Sequence, residues 1–97
     1  MDDVSFSWND RKAAQNARKH QVSFEEAMSV FLDENAVEFF DPDHSKNEDR
    51  FLMLGMRWRL RLLAVHDTVR ERGTQIRIIS ARKATKNEAK AYPWTTL

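Results

Sequence analysis

Residues 50–66 read RFLMLGMRWRLRLLAVH, and the fold follows from this stretch. Two apolar runs, Arg50–Met56 and Leu60–His66, flank the tight Arg57-Trp58-Arg59 link, so they pair as a hairpin. Downstream, Glu71-Arg72-Gly73 is a turn and Gln75–Ala81 a third long strand with Ile76, Ile78 and Ile79 as its β-branched core. Both parities of that strand carry isoleucine, which predicts a central strand covered on both faces. Upstream, Ala36–Phe40 is a short strand. It is followed by the turn Asp41-Pro42-Asp43-His44-Ser45, where proline fixes φ and Asp and Ser bond locally to backbone. Val4–Trp8 alternates apolar and polar residues and reads as a short edge strand.

The helices announce themselves by their caps. Asn9 caps a Gly- and Pro-free run, Asp10–His20, whose buried stripe is expected at Ala13 and Ala17, with Lys12, Asn16 and Lys19 more exposed. Ser23 and Glu26 form a capping box, after which Phe24, Ala27, Met28, Phe31 and Leu32 fall at helical spacing. Between the two helices His20-Gln21-Val22 must turn; a glycine would suit a left-handed C-cap there, and Gln21 would carry a strain of roughly 1 kcal/mol if it adopts that conformation. Thr85 and Glu88 make a second capping box, opening a short helix that ends near Tyr92, before Pro93. The expected architecture is α+β: a small antiparallel sheet, a meander of three to four strands, with two N-terminal helices packed on it and a short C-terminal helix, in one domain over 1–97.

Composition narrows the chemistry. The 97 residues include no cysteine and only two glycines, which excludes disulfides, thiolate catalysis, Cys-ligated zinc and a Gly-rich phosphate loop. No apolar run approaches the ~20 residues that cross a bilayer. Met1–Ser7 has two acids and no basic start, so it does not read as a signal peptide, and a cytoplasmic location is expected. The net charge of +1 conceals a division. Residues 21–56 carry two bases and nine acids, whereas residues 57–97 carry ten bases and three acids. The basic end suits a phosphate-bearing partner or, equally, a solvated face paired with the acidic middle.

Arginine within apolar strands is costly unless it is paired or faces a groove. Arg50 and Arg77 are therefore either partners of Glu48 or Glu38, or part of a phosphate-binding groove with Arg82, since guanidinium forks match phosphate oxygens. RNA can be cut without metal if one group takes the 2′-hydroxyl proton, another protonates the leaving 5′-oxygen, and cations hold the phosphate. His20 is the first candidate proton mover, ahead of His66 and Glu48; Lys19, Arg50, Arg77 and Arg82 are the candidate stabilisers. Each has a plainer role: His20 closes a helix end, and His66 shares strand parity with Leu62 and Ala64 and fits a core histidine. Asp41, Asp43 and His44 could hold an ion only weakly, and no metal or cofactor is expected.

Three segments resemble the BrnT family. They are Trp8-Asn9-Asp10-x-Lys12-x-x-x-Asn16-x-x-Lys19-His20-x-Val22-Ser23-Phe24-Glu25-Glu26-Ala27, then Asp41-x-Asp43-His44-Ser45-x-x-Glu48-x-Arg50-Phe51, then Ile76-Arg77-Ile78-Ile79-Ser80-Ala81-Arg82-Lys83-Ala84-Thr85-x-x-Glu88-x-x-x-Tyr92. The resemblance implies a bacterial type II toxin with a RelE-like fold that cleaves RNA and inhibits translation. It also implies a BrnA-like antitoxin whose DNA-binding domain supplies the only contact with DNA. The matching polar positions are Lys19, His20, Glu48, Arg50, Arg77, Ser80 and Arg82. Further RNA contacts are expected at Lys12, Arg59, Arg61, His66, Ser80 and Lys83, and Trp58 stands where it could stack a base or cover the partner. The family usually has glycine where this chain has Gln21, and its 57–59 turn is less basic. The alternative reading is a non-catalytic module of the same fold that only binds nucleic acid or its antitoxin.

Overall fold

A computed structural model describes residues 4–56 and 61–94. In chain order these form β1 (Ser5–Ser7), α1 (Asp10–His20), α2 (Phe24–Met28), a 3-10 turn (Ser29–Leu32), β2 (Val37–Phe40), a second 3-10 turn (Pro42–His44), β3 (Arg50–Met56), β4 (Leu62–Arg70), a third 3-10 turn (Glu71–Gly73), β5 (Gln75–Lys83) and α3 (Lys86–Ala89). The Arg57-Trp58-Arg59 link and Leu60 lie outside the described residues. The expected meander of three to four antiparallel strands undercounts the sheet. Among the described residues five strands lie in the order β1-β5-β4-β3-β2. Four of them are antiparallel, and β1 joins the far edge parallel to β5, Ser5–Ser7 against Gln75–Arg77. Such a pairing joins the two ends of the chain and leaves no local signal.

The core lies between one sheet face and the helices. Leu63 and Val65 of β4 and Ile78 and Ala81 of β5 meet Val22, Phe24, Ala27 and Val30. Trp8 packs edge-to-face on Phe24, and Phe6 on Phe31. The second helix departs from expectation at its end. After Met28 it tightens into a 3-10 turn, whose period of three residues carries burial from Ala27 to Val30. Leu32, expected in the stripe, is 83% exposed. Gly55 is where β3 passes beneath this turn: a Cβ there would lie 2.5 Å from Val30 Cγ1.

Asn9 accepts from Lys12 N as read; Ser23 accepts from Glu26 N, which forms its half of the expected box, while Glu26 Oε2 accepts from Arg61; Thr85 and Glu88 close a reciprocal capping box. Gln21 takes the left-handed conformation (φ 55°, ψ 34°). Of the expected stripe of α1, Ala13 packs against the core but Ala17 is exposed. The helix instead buries Asn16, which is 7% exposed. Its amide donates to Ala81 O (2.8 Å) and Val22 O (2.9 Å) and accepts from Ala81 N (3.1 Å). β1 covers only the first residues of β5, so Asn16 satisfies the edge of β5 beyond it, as a neighbouring strand would. At the other end, the Tyr92 hydroxyl donates to Asp33 (2.6 Å), and Asp33 also accepts from Met56 N, tying the terminal segment to the end of β3.

One core position is polar without compensation. Asp67 lies on the helix-side face of β4, in a row with Phe51 and Ile78, and is completely buried. Neither of its carboxyl oxygens has a hydrogen-bond partner. Burial, reinforced by the Glu38 carboxylate, pushes its pKa up to about 7.

Candidate functional site

The opposite sheet face is laid out in rows by strand register. Arg50, Thr68 and Arg77 are cross-strand neighbours on β3, β4 and β5; then come Leu52, His66 and Ser80; then Leu54, Ala64 and Arg82. Strands lie about 4.8 Å apart, so Arg50 and Arg77 flank Thr68 at about 10 Å from each other. His66 is one row removed from both and one row from Arg82. The register slips at this point. His66 opposes Ser80 while Asp67 opposes Ile78, which leaves Ile79 as an extra residue in β5. The bulge turns both Ile79 and Ser80 toward the same side. This, rather than burial on both faces, is why isoleucine occupies both parities of the strand.

Three adjoining hollows make a furrow over this bulge, the first two sharing Ile79 and Ser80 and the first and third sharing His44 and Arg50. Its middle is lined by Asp41, His44, Arg50, His66, Ile79 and Ser80. Across Ile79 and Ser80 it opens into a hollow lined by Lys12, Gln15, Asn16, Lys19 and His20. These α1 residues are spaced for one helix face, and the Asn16 bonds to β5 hold that face against the sheet edge. In the other direction, past His44 and Arg50, the furrow reaches Asp43, Lys46, Asn47 and Glu48.

The charges are arranged unequally. The His66 pKa is held below the ordinary histidine value, by burial first and then by the Arg82 guanidinium and by His44, against the opposing pull of Asp41 and Glu88. Its imidazole is therefore neutral near pH 7 and able to accept a proton. Glu48 is bound to Arg70 (2.5 Å) and Arg50 (3.3 Å). The Arg70 hydrogen bond is the main cause that holds its carboxyl below the usual range. Arg82 grips Glu88 with both terminal nitrogens, 2.8 and 2.9 Å, and that bond is the main cause holding Glu88 down at about 2.

Of the residues singled out in the sequence, Lys12, Lys19, His20, Arg50, His66 and Ser80 line the furrow, and Glu48 lines its far hollow. Arg77 shares the furrow face but is set one row back. Arg82 shares it too, with its guanidinium committed to Glu88. Arg61 is elsewhere: it donates to Glu26 (2.7 Å) and Gln21 O (2.9 Å) on the helix side. Lys83 follows the parity of Ala81 and stands exposed at the end of β5. Arg59 lies outside the described residues. In the sequence Asp41 and His44 stand in a turn within the BrnT-like motif and offer no more than weak ion ligands. They form a hydrogen-bonded pair, Asp41 Oδ2 to His44 Nδ1 at 2.8 Å, that the Asp-x-x-His spacing in a turn could have signalled. Among the described residues, no group of three or more His, Asp or Glu is close enough to hold a metal ion. No helix among them is long and apolar enough to cross a membrane.

Comparison with known proteins bears on this geometry. The model of the family described as "Ribonuclease toxin, BrnT, of type II toxin-antitoxin system" matches residues 8–88. The crystal structure of the Brucella abortus ribonuclease toxin BrnT is similar in fold, with a TM-score of 0.62. The match spans 89% of this chain and 99% of that one at 24% sequence identity, a level that speaks to the fold alone. No curated protein matches the chain in sequence.

Proposed function

The chain belongs to the BrnT family of ribonuclease toxins of type II toxin–antitoxin systems, and on that premise we propose that it is a metal-independent endoribonuclease that arrests translation in the cytoplasm, built as one RelE-like domain. The observation that carries this reading is the placement of His66. A neutral imidazole stands in a furrow among Arg50, Arg77 and Arg82 on one sheet face, with Lys12, Lys19 and His20 across the bulge. His66 takes the proton from the 2′-hydroxyl, and the 2′-oxygen attacks the adjacent phosphorus. Arg50, with Arg77 behind it, holds the phosphate as its charge grows. Lys12, Lys19 and His20 bind the neighbouring backbone, with Ser80 between the two halves. Arg82 is a positioning residue: tied to Glu88, it keeps positive charge beside His66 and the imidazole unprotonated. Glu48 serves to orient Arg50 rather than to move protons.

The furrow is also where an antitoxin must act. A BrnA-like partner masks it with an acidic or helical segment and brings the DNA-binding domain through which the pair reaches its operon. The test is cleavage of RNA by purified protein in EDTA, with product ends identified. The expected products are a 2′,3′-cyclic phosphate and a 5′-hydroxyl. Cleavage abolished by EDTA would overturn the metal-free mechanism. Salt-sensitive RNA binding with no cleavage would establish the non-catalytic module instead.

A further inference from the structure

We propose that His44, oriented by Asp41, is the general acid of the cleavage, protonating the leaving 5′-oxygen opposite His66; the assignment rests on the ribonuclease reading above. A metal-free cut needs two proton carriers on either side of one phosphorus. The middle of the furrow contains two imidazoles, His66 in its floor and His44 on its rim, with Arg50 in the same lining. A carboxylate only accepts hydrogen bonds, so at 2.8 Å from Asp41 Oδ2 the His44 Nδ1 carries a hydrogen and donates it. Nε2, on the far side of the ring, is then the nitrogen that exchanges a proton with a ligand. This is how a carboxylate fixes the tautomer and orientation of a catalytic histidine.

The turn that bears the pair is stapled to the site. Asp41 N donates to Arg50 O (2.8 Å), Ser45 Oγ donates to Asp41 O (2.5 Å), and Arg50 N donates to Ser45 Oγ (2.9 Å). The backbone of the phosphate-holding Arg50 therefore also sets the position of Asp41. The two side chains are exposed unequally, His44 at 70% and Asp41 at 19%, so the carboxylate is sheltered while the imidazole stays open to a bound strand. Glu48, the other candidate nearby, is occupied by two arginines.

The step balances without a co-reactant. A ring nitrogen of His66 accepts the 2′-hydroxyl proton, and the O2′–P bond forms. The P–O5′ bond breaks, and the proton on His44 Nε2 goes to the departing O5′. The enzyme is left with His66 protonated and His44 neutral, and solvent exchange restores both.

The experiment uses the full chain, its H44Q, D41N and H66Q variants, and two synthetic strands. One is ordinary RNA. The other carries a 5′-bridging sulfur at the cleavage site mapped on the first, and a thiolate leaves without needing a proton. We expect H44Q to cut ordinary RNA 10²- to 10⁴-fold more slowly and to recover most of that loss on the sulfur strand. D41N should show a smaller loss with the same recovery, and H66Q should be slow on both strands. All three should unfold at the wild-type temperature to within a few degrees. Unimpaired cleavage of ordinary RNA by H44Q, or equal impairment on both strands, overturns the acid assignment and leaves the ribonuclease reading standing. A wild-type chain that cuts neither strand overturns both.

Discussion

Replacing Asp67 by Asn should stabilise the protein, and by an amount that depends on pH. The carboxyl is completely buried in the row Phe51–Asp67–Ile78, with neither oxygen hydrogen-bonded and Glu38 adding repulsion. Its pKa stands at about 7 in the folded protein, against 3.8 for the free side chain. The native state therefore binds the proton more tightly than the unfolded chain, and stability falls as pH rises between these two values. At about 1.4 kcal/mol per pKa unit, the shift amounts to about 4 kcal/mol of lost stability once pH exceeds 7. Small domains are stable by only 5–15 kcal/mol in general, so the loss is a large share. Urea unfolding of wild type and D67N between pH 4 and 8.5, followed by circular dichroism, isolates the effect. Groups such as Glu88, whose low pKa brings loss of stability on the acid side, act on both proteins and cancel in the difference. The two should be nearly equally stable at pH 4, and D67N should gain progressively to about 4 kcal/mol by pH 8 with an unchanged m-value. A difference that stays flat with pH, or a wild type more stable than D67N at pH 8, would mean that the buried carboxylate is compensated and refute the reasoning.

Asn16→Ala removes three buried hydrogen bonds and leaves backbone groups of Ala81 and Val22 unpaired. It should cost about 2–4 kcal/mol and accelerate hydrogen exchange at the Ala81 amide, read by NMR. Gly55→Ala forces a methyl against Val30 and should lower stability by about 1–3 kcal/mol, measured as a lowered urea midpoint. Arg61→Ala should cost about 1 kcal/mol through the lost Glu26 and Gln21 bonds and leave the salt dependence of RNA binding unchanged. Arg50→Ala should reduce the slope of log K against log salt by about one; fluorescence anisotropy at several salt concentrations distinguishes the two arginines.

What could be read from sequence was what is local. Asn9, Ser23 and Thr85 cap the backbone three residues on, and Gln21 turns the chain in place, so each was visible in a few letters. The long strands of the hairpin and β5 were visible for the same reason. The parallel partner of β1 was not, because the contact joins Ser5 to Gln75. The end of α2 misled because the change from 3.6 to 3 residues per turn exchanges Leu32 for Val30, and both are apolar. In the candidate site, Lys19, His20 and Arg50 came from motifs and do meet in the furrow. Arg61 and Arg82 carried the same basic signal but are held by Glu26 and Glu88, acids on other elements whose proximity only folding creates. His44 was passed over because a histidine in a turn gains meaning only when Arg50 and His66 are seen beside it.

The extra residue at Ile79 works like a frameshift written into a strand. Before it, Arg77 reads outward and Ile78 inward; after it, Ala81 reads inward and Arg82 outward. Removing Ile79 would leave Ile78 opposite Asp67 and Ser80 opposite His66, so regular alternation would return with Ala81 still inward and Arg82 still outward; flattening the bulge with every residue kept would instead turn Ala81 to the furrow side and Arg82 into the apolar layer, stripped of Glu88. The bulge thus stores one residue: it admits an extra side chain to the furrow lining without exchanging the two faces of the strand beyond it.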